Sequence, residues 1–311
     1  MRFIFLGLLL HVGVLSISAQ DPSTYYESAR QKLLAGKYKE ALSLYNKAIE
    51  LSPGTSKYYI GRSNAHFGLK MSEEGFQDLC TAIKVEPSSS FGYIARGLFY
   101  YGIKELDKSI LDYISALQHA TVDSVKVQCL VNRSSAKLLK RDAQGAMDDC
   151  LEVLKMDSLS IAALNNLAMS LDDVGRGEES MKYFKKIISI DSNAFYAYMN
   201  IGFKLSNMGK YQESLPYFDK AIKLSPDEPY PFNNRGYSKL MLKDYEGALD
   251  DINNSIRLNP ANSYVYRNRG LVYKAQGKHK KSCEDFDMAK RLGFTKYYGN
   301  EVDELIKSDC L

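Results

Sequence analysis

The sequence predicts an all-α chain, a solenoid of helical hairpins stacked end to end. Five asparagines, Asn132, Asn166, Asn200, Asn234 and Asn268, follow one another at intervals of 34 residues. In units of that length position 8 is always small, as in Gly97, Gly202 and Gly270, and so is position 20, as in Ala146, Ser180 and Ala248. Positions 4 and 24 are mostly large and apolar, among them Tyr59, Tyr198 and Tyr266, then Tyr45, Phe184, Phe218 and Phe286. A fixed period of this length marks a repeated supersecondary unit. Small residues let two helices approach closely, and large ones fill the space around the crossing.

Length and composition fit that class. At 311 residues the chain exceeds a usual single core, and a stacked array grows without needing one. Hydrophobic residues at 45% and charged residues at 25% are an ordinary soluble composition. Lysine plus arginine at 41 against aspartate plus glutamate at 37 leaves +4, too small a surplus to imply a nucleic-acid partner.

In chain order, Arg2, the apolar run from Phe3 to Leu15 and the small residues through Ala19 predict a signal peptide over residues 1–19. The run is broken by Gly7, His11 and Gly13 and is shorter than the ~20 apolar residues of a membrane span. The mature chain is therefore expected outside the cytoplasm, periplasmic or secreted, with an uncleaved signal anchor as the alternative. Three repeats over 22–123 begin at Pro22, Ser56 and Ser90. Ser124, Val125 and Lys126 then break the register. Five repeats over 127–296 begin at Val127, Ile161, Phe195, Pro229 and Ser263.

Proline and glycine punctuate these units. Pro53, Pro87, Pro226 and Pro260 close repeats, and Gly36, Gly175, Gly209 and Gly277 fall in the turn inside them. Pro229 and Pro231 open a helix, where a missing donor costs little. Pro216 near the start of a second helix predicts a local bend at most. Val302, Leu305 and Ile306, at helical spacing, predict a C-terminal helix within 297–311 that caps the stack.

A large residue at 4, small residues at 8 and 20, an aromatic at 24 and a proline at 32 resemble the tetratricopeptide repeat, over roughly all of the mature chain. That resemblance implies a right-handed superhelix whose first helices line a concave groove for proteins or peptides. It implies no catalytic residue and no cofactor. The carboxylate clamp of some co-chaperones in that family does not occur here.

Comparison between repeats separates two polar columns. Position 7 is Arg62, Arg96, Arg133, Arg235 and Arg269, and sixteen residues later the same units carry Asp78, Asp112, Asp149, Asp251 and Asp285. Where position 7 is Leu167 or Ile201, position 23 is Tyr183 or Tyr217. Charge appears and disappears at both places together, which predicts a structural ion pair from first helix to second. The asparagines stand one residue earlier, at position 6, which faces the groove in such repeats. Their column resembles the asparagine ladder that holds the backbone of an extended peptide, because a carboxamide both donates and accepts. The alternative is that these asparagines bond locally within the fold.

Tyr196, Tyr230 and Tyr264 at position 2 and Phe203 and Tyr237 at position 9 add amphipathic rings to the expected binding face. Packing of the tyrosines between repeats is the alternative reading. Asp172 and Asp173 against Arg267 and Lys274 suggest a groove graded from acidic to basic. Cys80, Cys129, Cys150, Cys283 and Cys310 are odd in number and lack metal or redox spacing. Any bridge is expected as Cys129 with Cys150 or Cys283 with Cys310. Two glycosylation-like tripeptides, at Asn132 and Asn253, fall within predicted helices and are read as chance.

No histidine or glycine-rich loop sits in a catalytic arrangement, and no metal, cofactor or small-molecule substrate is expected. The expected function is a non-enzymatic scaffold binding a partner protein or peptide. Its rival is an assembly or accessory subunit with no peptide in the groove.

Overall fold

The computed structural model describes residues 21–310, so the expected signal over 1–19 lies outside the described residues. Those residues form eighteen helices and no strand. The chain divides into two compact units, one ending at Cys129 and one beginning at Leu130.

The first unit holds three hairpins. They pair α1 (Pro22–Leu34) with α2 (Tyr38–Leu51), α3 (Ser56–Gly68) with α4 (Ser72–Val85), and α5 (Ser90–Gly102) with α6 (Leu106–His119). The boundary falls inside α7 (Asp123–Leu139), which α8 (Ala143–Met156) follows. In the second unit α9 (Ile161–Asp173) pairs with α10 (Gly177–Ile190), and α11 (Phe195–Asn207) with α12 (Tyr211–Leu224). The last two hairpins are α13 (Pro229–Met241) with α14 (Tyr245–Leu258), and α15 (Ser263–Ala275) with α16 (His279–Arg291).

The three-residue insertion is absorbed as helix. At 17 residues, α7 is longer than the 13 of α5 or α9, because Ser124 to Lys126 extend its start. Pro216 sits inside α12 without ending it. Asp21, Asp142, Asp244 and Asn262 cap α1, α8, α14 and α15 by accepting a backbone N–H of the first turn.

Packing follows the size pattern. The rings of Tyr45, Tyr113, Phe184, Phe218 and Phe286 are buried; those of Tyr113, Phe218 and Phe286 face Gly97, Gly202 and Gly270, the small position 8 of their own hairpins, and that of Tyr45 faces Gly61 of the next. A Cβ built on Gly202 would lie 2.8 Å from the Phe218 ring, and one on Gly270 only 2.5 Å from Phe286. Glycine there is required by close approach. Ser109 and Ser282, at position 20, donate to the carbonyls of Gly97 and Gly270 at 2.8 and 2.9 Å, closing the same crossing with a hydrogen bond.

The C-terminal segment closes the second unit. Gly293 turns the chain with φ 86°, and α17 (Phe294–Tyr298) and α18 (Glu301–Asp309) fold back on α16. Phe294 and Val302 are buried with Phe286 and Ala289. A disulfide between Cys283 and Cys310 ties α18 to α16. Of the two expected bridges only this one forms, while Cys129 and Cys150 are buried without being bridged to each other.

The turn inside every repeat has a left-handed residue at the same position. Gly36, Gly175, Gly209 and Gly277 fill it in four repeats, and Lys70, Lys104, Arg141 and Lys243 in the others, with φ of 62–65°. A side chain in that conformation costs about 1 kcal/mol. Lys104→Gly is therefore expected to raise stability by about 0.5–1 kcal/mol, part of the gain being offset by the looser unfolded chain. The check is the urea midpoint; a lower midpoint would mean that the exposed Lys104 side chain contributes more than its backbone conformation costs.

Candidate functional site

Each first helix presents its position 7 inward and its position 6 one residue round the helix. All five arginine–aspartate pairs are formed and two-pronged. Arg62 reaches Asp78 at 2.6 and 3.0 Å, Arg96 reaches Asp112 at 2.8 and 2.9 Å, and Arg133 reaches Asp149 at 2.6 and 2.9 Å. Arg235 reaches Asp251 at 2.5 and 2.8 Å, and Arg269 reaches Asp285 at 2.8 Å through both nitrogens. The aspartates are buried, and the contact with Asp112 or Asp285 holds the pKa of Arg96 or Arg269 above its ordinary value. Burial works against the charge on Arg235, but Asp251 and Asp219 override it and raise its pKa. These ten residues are occupied within the fold.

The asparagine column does not behave as one row. Asn166 is 8% exposed, and its Nδ2 donates to the hydroxyls of Ser134 and Ser135, both at 2.8 Å, from the preceding repeat. Asn268 is fully buried, accepts from Arg267 at 2.8 Å and donates to Asn233 Oδ1 at 2.9 Å. For these two the expectation of open, peptide-facing amides is corrected: neighbouring hydroxyl, amide and guanidinium groups already use them. Asn132, Asn200 and Asn234 are half-buried.

Three adjoining cavities follow the middle and end of the second unit. The first, about 460 Å³, is lined by Met169, Asp172, Asn200, Phe203 and Lys204 among others. The next, about 410 Å³, shares Asn200 and Phe203 and adds Asn233, Asn234, Tyr230, Tyr264 and Tyr298. The smallest, about 80 Å³, lies between Phe203, Asn234, Tyr237, Tyr264 and Asn268. Asn200, Asn234, Phe203, Tyr230, Tyr237 and Tyr264 are therefore brought together, with Asn268 at the floor. Asn132 and Asn166 line none of these cavities. Tyr196 also lies apart, packed on the core around Ala197 and Ile201, and burial raises its pKa.

The expected charge gradient is absent because its members are paired. Asp172 meets Lys204, Asp173 meets Arg141 at 3.3 Å, Arg267 meets Glu301, and Lys274 meets Asp309 at 2.6 Å. Sequence reasoning missed Asn233, Asn262 and Tyr298. The signal for Tyr298 was present, since it follows Tyr264 by one further period of 34. Among the described residues no group of three or more metal-ligating side chains could hold an ion, and burial pushes the Cys150 thiol up to about 11, away from the reactive thiolate.

Residues 23–55, 160–190 and 195–228 each match family models of the tetratricopeptide repeat. The chain contains tetratricopeptide repeats. No curated protein matches its sequence. It is similar in structure to a tetratricopeptide repeat protein from Parabacteroides merdae, with TM-score 0.63 and 20% identity over 81% of this chain and 97% of that one. It is also similar to a chain of the APC/C hetero-tetramer Cut9-Hcn1, with TM-score 0.67 and 13% identity over 95% of this chain and 57% of that one. Yeast Tom70 is a third likeness, with TM-score 0.53 and 18% identity over 88% of this chain and 70% of that one. These likenesses establish the solenoid of helical hairpins. Among the described residues no helix is long and apolar enough to cross a membrane.

Among the described residues Asp112 has Arg96 as its cationic partner, without the second cation that Asp78, Asp149 and Asp251 have, so this pair isolates the contribution of the arginine column. Arg96→Met leaves a buried carboxylate uncompensated and is expected to destabilise the fold by about 3 kcal/mol. Arg96→Met with Asp112→Leu is expected to recover most of that loss. Urea unfolding of the three proteins is the measurement, and a harmless single variant would show that the pair contributes nothing.

Proposed function

We propose that the protein is a non-enzymatic scaffold that binds an extended peptide or partner protein along the second unit. The observation that carries this reading is the run of adjoining cavities in which half-exposed amides, Asn200 and Asn234, stand beside exposed rings. Tyr230 and Phe203 are 51% and 46% exposed. Large rings left open to water in a concave surface are where partner recognition concentrates, and free carboxamides pair with peptide groups whatever the side chain. No histidine, thiol or carboxylate in these cavities has the partners of an acid, base or nucleophile.

The reading extends to location: the chain acts outside the cytoplasm. Residues 1–19 carry a signal-like pattern, and the Cys283–Cys310 disulfide is of a kind that persists in oxidising compartments.

A random-sequence peptide array probed with the labelled chain tests the binding. Asn200→Ala with Asn234→Ala is expected to lower bound signal at least roughly tenfold, the loss of two peptide hydrogen bonds, with helix content unchanged. Equal signal from both proteins overturns the assignment of the site. Fusion of alkaline phosphatase after the last residue tests export: activity is expected, and it should vanish when residues 2–19 are deleted. An inactive full-length fusion would place the chain in the cytoplasm.

A further inference from the structure

The amides around the 410 Å³ cavity form a relay whose polarity is fixed. Arg267 lies at its root, held by Glu301 of α18 and able only to donate. Its Nη1 donates to Asn268 Oδ1 at 2.8 Å, which turns Asn268 Nδ2 toward Asn233 Oδ1 at 2.9 Å. Asn233 Nδ2 then faces Asn234 Oδ1 at 3.4 Å. Carboxamide orientations are ordinarily interchangeable, but a guanidinium at one end removes that freedom. The last member, Asn234, has its oxygen engaged and its Nδ2 without a partner among the described residues, so it offers a ligand a donor.

The rest of the cavity is uncharged and mostly aromatic, with Met199 and the amides of Asn200 and Asn262 beside the rings. Phe203, Tyr230, Tyr264 and Tyr298 line it, and no charged side chain does. Tyr298 is 56% exposed and stands edge-on to Tyr264 at a centroid distance of 5.1 Å. The guanidinium of Arg267 lies 5.5 Å from the Tyr264 centroid and 5.6 Å from that of Tyr237. That face of the rings already has its cation, and Glu301 neutralises Arg267, so neither a cationic nor an anionic ligand finds a counter-charge. A charged side chain placed there would lose hydration without compensation.

We propose that this cavity takes an uncharged, proline-containing stretch of the extended peptide, with a proline ring against Tyr230, Tyr264 and Tyr298 and a peptide carbonyl accepting from Asn234 Nδ2. This rests on the peptide-binding reading above and names the class of segment bound. Proline supplies a carbonyl for the Asn234 donor, while the Asn200 amide on the same wall is left for an N–H elsewhere in the segment. Its extended left-handed helix is also preformed, so docking on an aromatic surface costs little ordering.

The test is fluorescence anisotropy of the mature chain with fluorescein-labelled repeat peptides of one length: proline–alanine, glycine–serine, proline–glutamate and proline–lysine. Proline–alanine is expected to bind at least roughly tenfold more tightly than each of the others. Asn234→Asp, which keeps the shape and removes the donor, and Tyr298→Ala, an exposed change, are each expected to weaken it at least roughly tenfold with unchanged circular dichroism. Glycine–serine or charged peptides binding as tightly overturn the proline assignment and leave peptide binding standing. No binding by any peptide here or on the array overturns both. A doubled mass in light scattering that Tyr298→Ala abolishes also overturns the proposal, because the cavity then receives a second copy of the chain.

Discussion

The contact on which the rest depends is the two-pronged arginine–aspartate pair inside the hairpin. In the five repeats that have it, the pair fixes how the first helix is rotated against the second, because a planar guanidinium meets a carboxylate in one orientation. In three repeats the same arginine reaches further. Arg62 also donates to Asn46, Arg235 to Asp219 and Arg269 to Asn253, all on the second helix of the preceding repeat. One side chain then joins three helices and sets both the hairpin and its stacking. In two of the repeats that lack the pair, Leu167 and Ile201 are buried, and Tyr183 and Tyr217 pack against the core that includes Ile201. Well-packed apolar groups replace a buried ion pair with little loss, and the second unit contains both solutions.

With position 7 held inward, position 6 is carried to the adjoining face, and there the sequence was legible only in part. The period, the hairpins, the insertion and the C-terminal helix could all be read because size and spacing repeat. The fate of each asparagine could not, because it depends on what the preceding repeat places opposite. Asn166 meets Ser134 and Ser135, and Asn268 meets Asn233, so both are used within the fold. Asn200 and Asn234 have no such complete partnership and remain at cavity walls.

The charges failed as a guide for the same reason. Asp172, Arg267 and Lys274 look unmatched along their own helices, yet their partners come from neighbouring helices: Lys204, Glu301 and Asp309. Local pattern shows which side chains share a face. It does not show which of them are already neutralised across the stack, and at a binding surface that difference decides what kind of ligand is admitted.

The C-terminal segment shows how an end can shape a site. A stack of hairpins must cover its last apolar face, and Phe294 and Val302 do so. The same segment carries Glu301 at the position Arg267 occupies one period earlier, and Tyr298 at that of Tyr264. Glu301 fixes Arg267, Arg267 fixes Asn268, and the orientation passes through Asn233 to Asn234. A capping helix that merely excluded water would need neither residue. Because it supplies both a wall and the hydrogen-bond polarity, the direction in which Asn234 presents its N–H is set from outside the cavity lining, and the disulfide to Cys283 ties that segment to α16.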